Sequence, residues 1–172
     1  LKLIAHDDGT VTVNMGAPVF APEALPFKAK IQQPSYTLYL KDGGSVVGGA
    51  VSMGNPHFVT FWDNVDSAAV ENLGPKIECH PDFPERVNVG FAEITGTHSI
   101  KLRVFERGCG ETLACGSGAC AAVSVAIRQG RVQSPVNVFL KGGTLKLSWD
   151  GNRGAVMMTG AATRVYEGSI II

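Results

Sequence analysis

Hydrophobic and polar positions alternate in short runs along most of the chain, and glycine or proline separates one run from the next. Alternation with a period of two is typical of strands that are buried on one face. The runs predicted to form strands are residues 1–5, 10–15, 35–41, 45–53, 57–62, 87–94, 99–106, 136–140, 144–150, 155–162 and 163–166. The first two runs flank Asp8-Gly9, which predicts a hairpin turn.

Two segments have a helical pattern instead. Residues 65–73 predict a short helix that stops at Gly74-Pro75. Residues 115–129 contain almost no polar position before Arg128, and a helix that is apolar all round must be buried on all sides. Gly130 suits the residue that follows the helix. The sequence therefore predicts an α+β fold in which an antiparallel-rich sheet curls around one central buried helix.

Composition narrows the classes of partner. Hydrophobic residues make up 45% of the chain, which is enough to form a core. The 15 basic and 15 acidic residues leave a formal net charge of zero, and no basic stripe is visible. Nucleic acid and membranes are therefore not expected as partners. No apolar run approaches the length of a membrane-spanning helix.

The four cysteines, Cys79, Cys109, Cys115 and Cys120, do not have the spacing of a zinc site. Cys115 and Cys120 would lie on different faces of one helix, so no disulfide is expected between them. We expect free thiols, no metal and a reducing, cytoplasmic location. Because the chain begins with Leu1 in the middle of strand-like sequence, we also expect that it continues a longer protein.

The position of Cys115 at the start of the apolar helix suggests chemistry. The free N–H groups and the partial positive charge of a helix N-terminus favour a thiolate, which predicts a lowered thiol pKa. Backbone at Gly116 and Ser117 could hold a carboxylate, and the thiol could then remove a proton from the adjacent carbon. In the alternative interpretation, Cys115 is a small buried residue beside an ordinary turn. These residues alone leave both interpretations open.

Four motifs add a family resemblance. They are Ser-Met-Gly-Asn-Pro-His at 52–57, Pro-Glu-Arg-Val-Asn at 84–88, Glu-Arg-Gly at 106–108 and Ala-Cys-Gly-Ser-Gly-Ala-Cys at 114–120. Their order and approximate spacing resemble the diaminopimelate epimerase family, from residue 13 to the end of the chain. The resemblance implies a cofactor-independent isomerase of lysine biosynthesis. Such an enzyme interconverts LL- and meso-diaminopimelate with two cysteines, one on each face of the reacting carbon.

The same resemblance implies roles for individual residues. Cys115 would be one catalytic cysteine, and His57 and Glu106 would tune thiol pKa values. Substrate would be bound by Asn55, Asn88, Glu106, Arg107, Gly116 and Ser117. Simpler alternatives remain: His57 could cap a turn, Asn88 could sit in a bulge, and Glu106 and Arg107 could be solvated charges at a strand end. Cys109 replaces a small residue of the family, and no role is assigned to it.

The resemblance also implies a division of the chain. Residues 16–160 would form a C-terminal lobe, while residues 1–15 and a terminal strand at 161–172 would belong with an N-terminal lobe. That lobe would carry the partner cysteine, and the intact enzyme would be a homodimer. We therefore expect no epimerase activity from this chain alone. Two alternatives stay open: a related proline or hydroxyproline racemase, and a non-catalytic binding module of the same fold.

Overall fold

The computed structural model describes residues 2–163 and 165–170. The strands are β1 (Leu3–Ala5), β2 (Thr10–Asn14), β3 (Tyr36–Tyr39), β4 (Ser45–Ser52), β5 (Pro56–Phe61), β6 (Asn88–Gly96), β7 (Ser99–Glu106), β8 (Gly110–Thr112), β9 (Val136–Leu140), β10 (Gly143–Ser148) and β11 (Met157–Ala161). The helices are α1 (Val70–Glu78) and α2 (Gly116–Arg128), with short 3₁₀ turns at Pro22–Ala24 and Val65–Ser67.

The described strands form a single eleven-stranded sheet in the order β1-β2-β11-β10-β9-β7-β6-β5-β4-β3, and β8 pairs with β7 beside this path. The pairs β5–β6 and β7–β9 are parallel. The remaining pairs, including the predicted β1–β2 hairpin, are antiparallel. The prediction of a mixed α+β fold with a large sheet is thereby confirmed.

Helix α2 lies in the main hydrophobic core, as its apolar sequence requires. Every residue from Gly118 to Ala126 is buried, and the helix contacts six strands, from β4 to β7 and also β9 and β10. Each buried valine here stabilises the fold by about 2 kcal/mol relative to an exposed one. Gly130 ends the helix at φ +69° and donates to Ile127, while Arg131 donates to Ala126. These two bonds form the Schellman ending that Gly130 predicted.

Helix α1 corrects a prediction. Instead of stopping at Gly74-Pro75, the helix begins at Val70 and runs through both residues to Glu78. The burial of Val70 and Ile77 in a second core cluster stabilises the helix in this shifted position despite its internal proline. A Cβ at Gly74 would lie 2.5 Å from the Phe105 ring, so this glycine permits close packing against β7 rather than ending the helix.

Two further differences concern strands. The short strand β8 was not predicted, because three residues carry too little periodicity to be recognised. The strand predicted at 163–166 is not formed by its described residues: the last strand ends at Ala161, and residues 162–163 and 165–170 have no regular structure. Residues 1, 164 and 171–172 lie outside the described residues.

Candidate active site

Cys115 is the N-cap residue of α2, with an extended backbone that turns into the first helical residue. The thiol is buried, with 7% of the residue exposed, and its Sγ donates to Glu106 Oε2 over 2.9 Å. Ser117 Oγ lies 3.6 Å from the same sulfur. The structure thus joins a thiol, a carboxylate and a hydroxyl at the start of the buried helix.

Glu106 lies at the end of β7, and both oxygens of its half-buried carboxylate accept hydrogen bonds. Oε2 accepts from the Cys115 thiol, and Oε1 accepts from Thr112 Oγ1 over 2.7 Å. Thr112 was not singled out from the sequence, although the Glu106–Gly110 and Val104–Thr112 pairings of β7 and β8 bring it back beside Glu106. A polar residue six positions after a candidate carboxylate, across a tight turn, was the available signal.

The thiol pKa differs from the expectation. Burial raises the pKa of Cys115, and the hydrogen bond to Glu106 raises it further. Ser117 and the Gly118 N–H oppose this by favouring the thiolate, but they are the smaller effects. The expected lowering of the pKa was wrong because helix-end geometry can be read from sequence, whereas the burial and the facing carboxylate cannot.

Gly118 makes room for this arrangement. A Cβ at this position would lie 3.2 Å from Cys115 Cβ, 3.3 Å from its Sγ and 3.2 Å from Val104 Cγ2. Contacts this short would push the thiol away from Glu106 or shift β7. The glycine therefore allows the thiol and the first helical turn to pack against the end of the strand.

His57 lies at the beginning of β5 and is 1% exposed. Its Nε2 is 3.0 Å from Asn55 Oδ1, and because that oxygen can only accept, Nε2 carries the proton. Burial lowers the pKa of His57 to about 4, and the positive charge of Arg107 contributes to the lowering. The imidazole is therefore neutral at pH 7. The contribution of Arg107 to the pKa of His57 also shows that the two side chains interact electrostatically.

Asn88 begins β6 and pairs with His57 in the parallel β5–β6 register. Its amide Nδ2 donates to Pro56 O over 2.9 Å, and its Oδ1 accepts from the Arg107 N–H over 3.0 Å. Asn88 thus ties the start of β5 to the residue that follows β7. It is a regular member of β6 and not the bulge residue considered as its alternative; the irregular register in this strand lies further along, between Ile94 and Gly96.

Arg107 is exposed, and its Nη1 donates to the carbonyl oxygen of Glu85 over 2.9 Å. The next residue in that turn, Arg86, has φ +62°, a conformation that is strained for a side chain of this size. Glu78, buried at the end of α1, accepts from the Gly108 N–H over 2.8 Å and lies 3.5 Å from Arg86 Nη1. Glu78 and Arg86 were not predicted, and both support the segment that carries Arg107.

The candidate residues therefore form three linked groups at one end of the sheet. Cys115, Glu106 and Ser117 are in direct contact, and Gly116 separates Cys115 from Ser117 in the first turn. Asn55 contacts His57, and Asn88 contacts the backbone of Arg107. Of the other cysteines, Cys79 and Cys109 are exposed. Burial raises the pKa of Cys120 to about 12, and the neighbouring Cys115 raises it too.

Among the described residues, no group of three or more His, Cys, Asp or Glu side chains is arranged to hold a metal ion. Within that same part of the chain, neither helix is long and apolar enough to cross a membrane. The Cys115 thiol is a group that can exchange a proton, and the N–H groups of the first turn of α2 and the Arg107 guanidinium are of the kinds that bind negatively charged ends of small molecules.

Comparison with solved structures identifies the fold. The chain superposes on a hydroxyproline epimerase from Agrobacterium vitis, solved with bound trans-4-OH-L-proline, with a TM-score of 0.61 and 16% identity, over 92% of this chain and 53% of the other. A probable proline racemase from Agrobacterium radiobacter also has a TM-score of 0.61, at 14% identity, with the same coverage. The fold is therefore one that amino-acid epimerases and racemases share.

Sequence comparison is more specific. A family model described as diaminopimelate epimerase matches residues 49–165. A diaminopimelate epimerase of Ectopseudomonas mendocina is 53% identical over 170 residues, and one of Teredinibacter turnerae is 52% identical. Each alignment covers 99% of this chain and 61% of the relative. The chain belongs to the diaminopimelate epimerase family, as its motifs suggested, and it spans about three fifths of the length of these relatives.

Proposed function

We propose that this chain provides one half of a diaminopimelate epimerase active site, in which Cys115 is one of two acid–base cysteines. The reaction interconverts LL- and meso-diaminopimelate in lysine biosynthesis without a cofactor, in the cytoplasm. The single observation that carries the proposal is the buried Cys115 thiol, which begins α2 and donates to Glu106. The identity of about half the residues with named epimerases supports the choice of substrate.

The state of the thiol suggests its role in each direction. Because burial and Glu106 raise the pKa of Cys115, the resting group is a thiol and can give a proton to the α-carbon. The thiolate that this leaves is a strong base and removes the proton in the reverse reaction. Ser117 and the Gly118 N–H stabilise that thiolate. Inversion also needs a base on the opposite face of the carbon, which a second cysteine would supply.

The surrounding groups suit the two ends of the substrate. The N–H groups of Gly116 and Ser117 lie in the first turn of α2, where no intrahelical acceptor is available, and would bind the α-carboxylate. Glu106 would also hold the α-amino group. Arg107 would bind the distal carboxylate with its planar fork, and Asn55 and Asn88 would complete that distal site. His57 is neutral and bonded to Asn55, so it would add no positive charge of its own to that of Arg107 near the thiols.

The division into lobes belongs to the same proposal. Residues 16–160 would form an epimerase lobe, an antiparallel-rich sheet curled around the central helix α2, and residues 1–15 and 161–172 would pair with the other lobe. The part of the relatives that the chain does not match would supply the second cysteine and would close the site over the substrate. Two copies of the complete protein would form a homodimer.

The test uses the joined protein, in which this chain is fused to the part of the Ectopseudomonas mendocina relative that it does not match. We expect the joined protein to convert LL- to meso-diaminopimelate, and Cys115→Ser to abolish the conversion. The matched control is Cys109→Ser, an exposed thiol in the nearby turn, which should keep full activity. Proline and trans-4-hydroxyproline serve as alternative substrates.

Two results would contradict the proposal. Undiminished turnover by the Cys115→Ser variant would exclude the thiol as an acid or base. Racemisation of proline without turnover of diaminopimelate would support the alternative function, a proline racemase.

The chain by itself should be inactive, because only one face of the carbon would then meet a catalytic thiol. Steady turnover by the unfused chain would overturn that part of the proposal.

A further inference from the structure

The carboxylate of Glu106 is held at both of its oxygens. Thr112 Oγ1 donates to Oε1 over 2.7 Å, and the Cys115 thiol donates to Oε2 over 2.9 Å. A half-buried glutamate at a strand end has several rotamers available. A donor on the far oxygen selects the rotamer that turns the near oxygen towards the sulfur.

Thr112 itself is firmly positioned. It belongs to β8, which pairs with β7 so that Thr112 faces Val104. Its neighbour Glu111 is anchored by two hydrogen bonds from Arg103, over 2.7 and 2.8 Å. On the other side, the Leu113 carbonyl accepts from the Gly142 N–H over 2.8 Å. Because both neighbours of Thr112 are anchored, the Thr112 hydroxyl is held in one position from which it donates to the Glu106 carboxylate.

We propose that Thr112 is a positioning residue that orients the Glu106 carboxylate so that it accepts the hydrogen bond of the Cys115 thiol. Thr112 acts through Glu106 and does not touch the thiol or the substrate. Its hydroxyl is needed and its methyl group is not, so serine can replace it and valine cannot. The orientation is a property of the folded chain; its catalytic consequence rests on the proposed function.

Loss of the hydroxyl has a defined consequence for the thiol. Without the bond to Oε1, the carboxylate turns towards solvent, where water can satisfy both oxygens. The thiol then loses its acceptor and the closest negative charge, so its pKa falls towards the ordinary range. In the described part of the chain, the titratable group besides Glu106 that interacts with Cys115 is Cys120, which stays protonated because burial raises its pKa to about 12.

The experiment measures the pH dependence of alkylation of Cys115 by a small reagent, using the full chain. Cys79→Ser and Cys109→Ser form the background, since both of these thiols are exposed and would react. We expect Thr112→Val to lower the midpoint by about one pH unit, which makes alkylation at pH 8 up to about tenfold faster. Thr112→Ser should react within about twofold of the parent. An unchanged or higher midpoint in Thr112→Val would overturn the proposal.

A double-mutant cycle separates positioning from a general loosening of the fold. In a Glu106→Gln background there is no charge to orient, so Thr112→Val should have no further effect on the alkylation profile. An equal effect in both backgrounds would show that Thr112 acts on the packing and would also overturn the proposal. If Thr112→Val does not fold, Thr112→Ala is compared with Thr112→Ser in the same way.

Activity of the joined protein keeps the two proposals distinguishable. If the joined protein is active, we expect Thr112→Val to lower kcat, because the reoriented Glu106 carboxylate no longer acts on the proton transfer. KM should rise as well, because Glu106 would also hold the α-amino group. An unchanged kcat in that active protein would contradict the catalytic consequence. If the parent joined protein has no epimerase activity, the proposed function fails, whereas the alkylation profiles still decide the role of Thr112.

Discussion

Two glutamates on the paired strands β7 and β8 are stabilised in opposite ways. Glu111 receives two hydrogen bonds from Arg103, and Lys141 Nζ lies 2.7 Å from its Oε1. Arg103 and Lys141 lower the pKa of Glu111 to about 2. The partners of the Glu106 carboxylate in the described chain are a hydroxyl and a thiol. One carboxylate is matched by positive charge, and the other is satisfied only by neutral donors.

The difference separates a structural carboxylate from one suited to chemistry. The charge of Glu111 is matched locally, so it ties β8 to Arg103, whose Nη1 also bonds the carbonyls of Val65 and Ala68. No cation contacts the carboxylate of Glu106 in the described residues, so its negative charge acts on the thiol it faces. Hydrogen bonds alone therefore do not identify a site; the identity of the donors does.

Replacement of Glu106 by glutamine should give the largest effect. Glu106→Gln removes the charge that faces the thiol, so the pKa of Cys115 should fall, and the joined protein should lose about 100- to 1,000-fold in kcat because proton transfer loses a tuned partner. Alkylation profiles and epimerase kinetics measure these two effects. Glu23→Gln, at an exposed position outside β7 and β8, is the control and should leave the thiol profile unchanged. Equal shifts in both variants would show that the charge of Glu106 does not set the thiol pKa.

His57 extends the comparison to a group that is kept neutral. The pKa of His57 in the folded chain is about 4, below the ordinary 6.5. Between these two pH values the imidazole is protonated in the unfolded chain and neutral in the folded chain. The free energy of unfolding should therefore be highest above pH 6.5 and should fall by about 3 kcal/mol as the pH falls towards 4.

Urea denaturation of the chain at pH 7 and at pH 4 measures this loss. His57→Gln should remove the part of the pH dependence that belongs to the imidazole. The control is His6→Gln, which changes an exposed histidine in the turn between β1 and β2 and should leave the pH dependence of the free energy of unfolding intact. A pH dependence that is the same in the parent and in His57→Gln would contradict the assignment.

Glu111→Gln should itself destabilise the fold by about 2 kcal/mol, because Arg103 loses charged hydrogen bonds in a site where the Glu111 side chain is 12% exposed. In the parent, this stability is present above about pH 4.5 and is lost as pH falls towards 2, since the pKa is lowered in the fold. Acid unfolding should therefore depend less on pH in the variant. Glu23→Gln, at an exposed position, serves as the control. An equal effect of Glu23→Gln would show that the Arg103–Glu111 pair does not account for the loss of stability.

The smallest expected effect concerns the space beside the thiol. Gly118→Ala should gain about 1 kcal/mol from helix propensity and lose about 2 kcal/mol to the short contacts with Cys115 and Val104, which leaves a net loss of about 1 kcal/mol. Thermal unfolding measures the loss, and the alkylation profile of Cys115 should also change. Gly90→Ala is the matched control, since its nearest contact would be an ordinary 3.4 Å to Val59. A stabilised Gly118→Ala would show that the site has free room.

Much of the scaffold could be predicted because it depends on local pattern. The apolar run after Cys115 predicted a buried helix, Gly130 predicted its ending, and Asp8-Gly9 predicted a hairpin. Gly74-Pro75 misled the prediction because a glycine that permits packing has the same identity as a glycine that ends a helix. Only the approach of Phe105 from another element distinguishes the two.

The family, the mixed fold and the position of a thiol at the start of a buried helix could all be predicted from the sequence, because motifs, periodicity and helix-end signals are encoded by residues close together in the chain. Only the folded structure shows that Glu106 accepts a hydrogen bond directly from Cys115, that Thr112 supports Glu106, and that the thiol pKa is raised and not lowered. The physical reason is that a pKa depends on burial and on charges brought together by strand pairing, and β8 returns to β7 only in the folded chain.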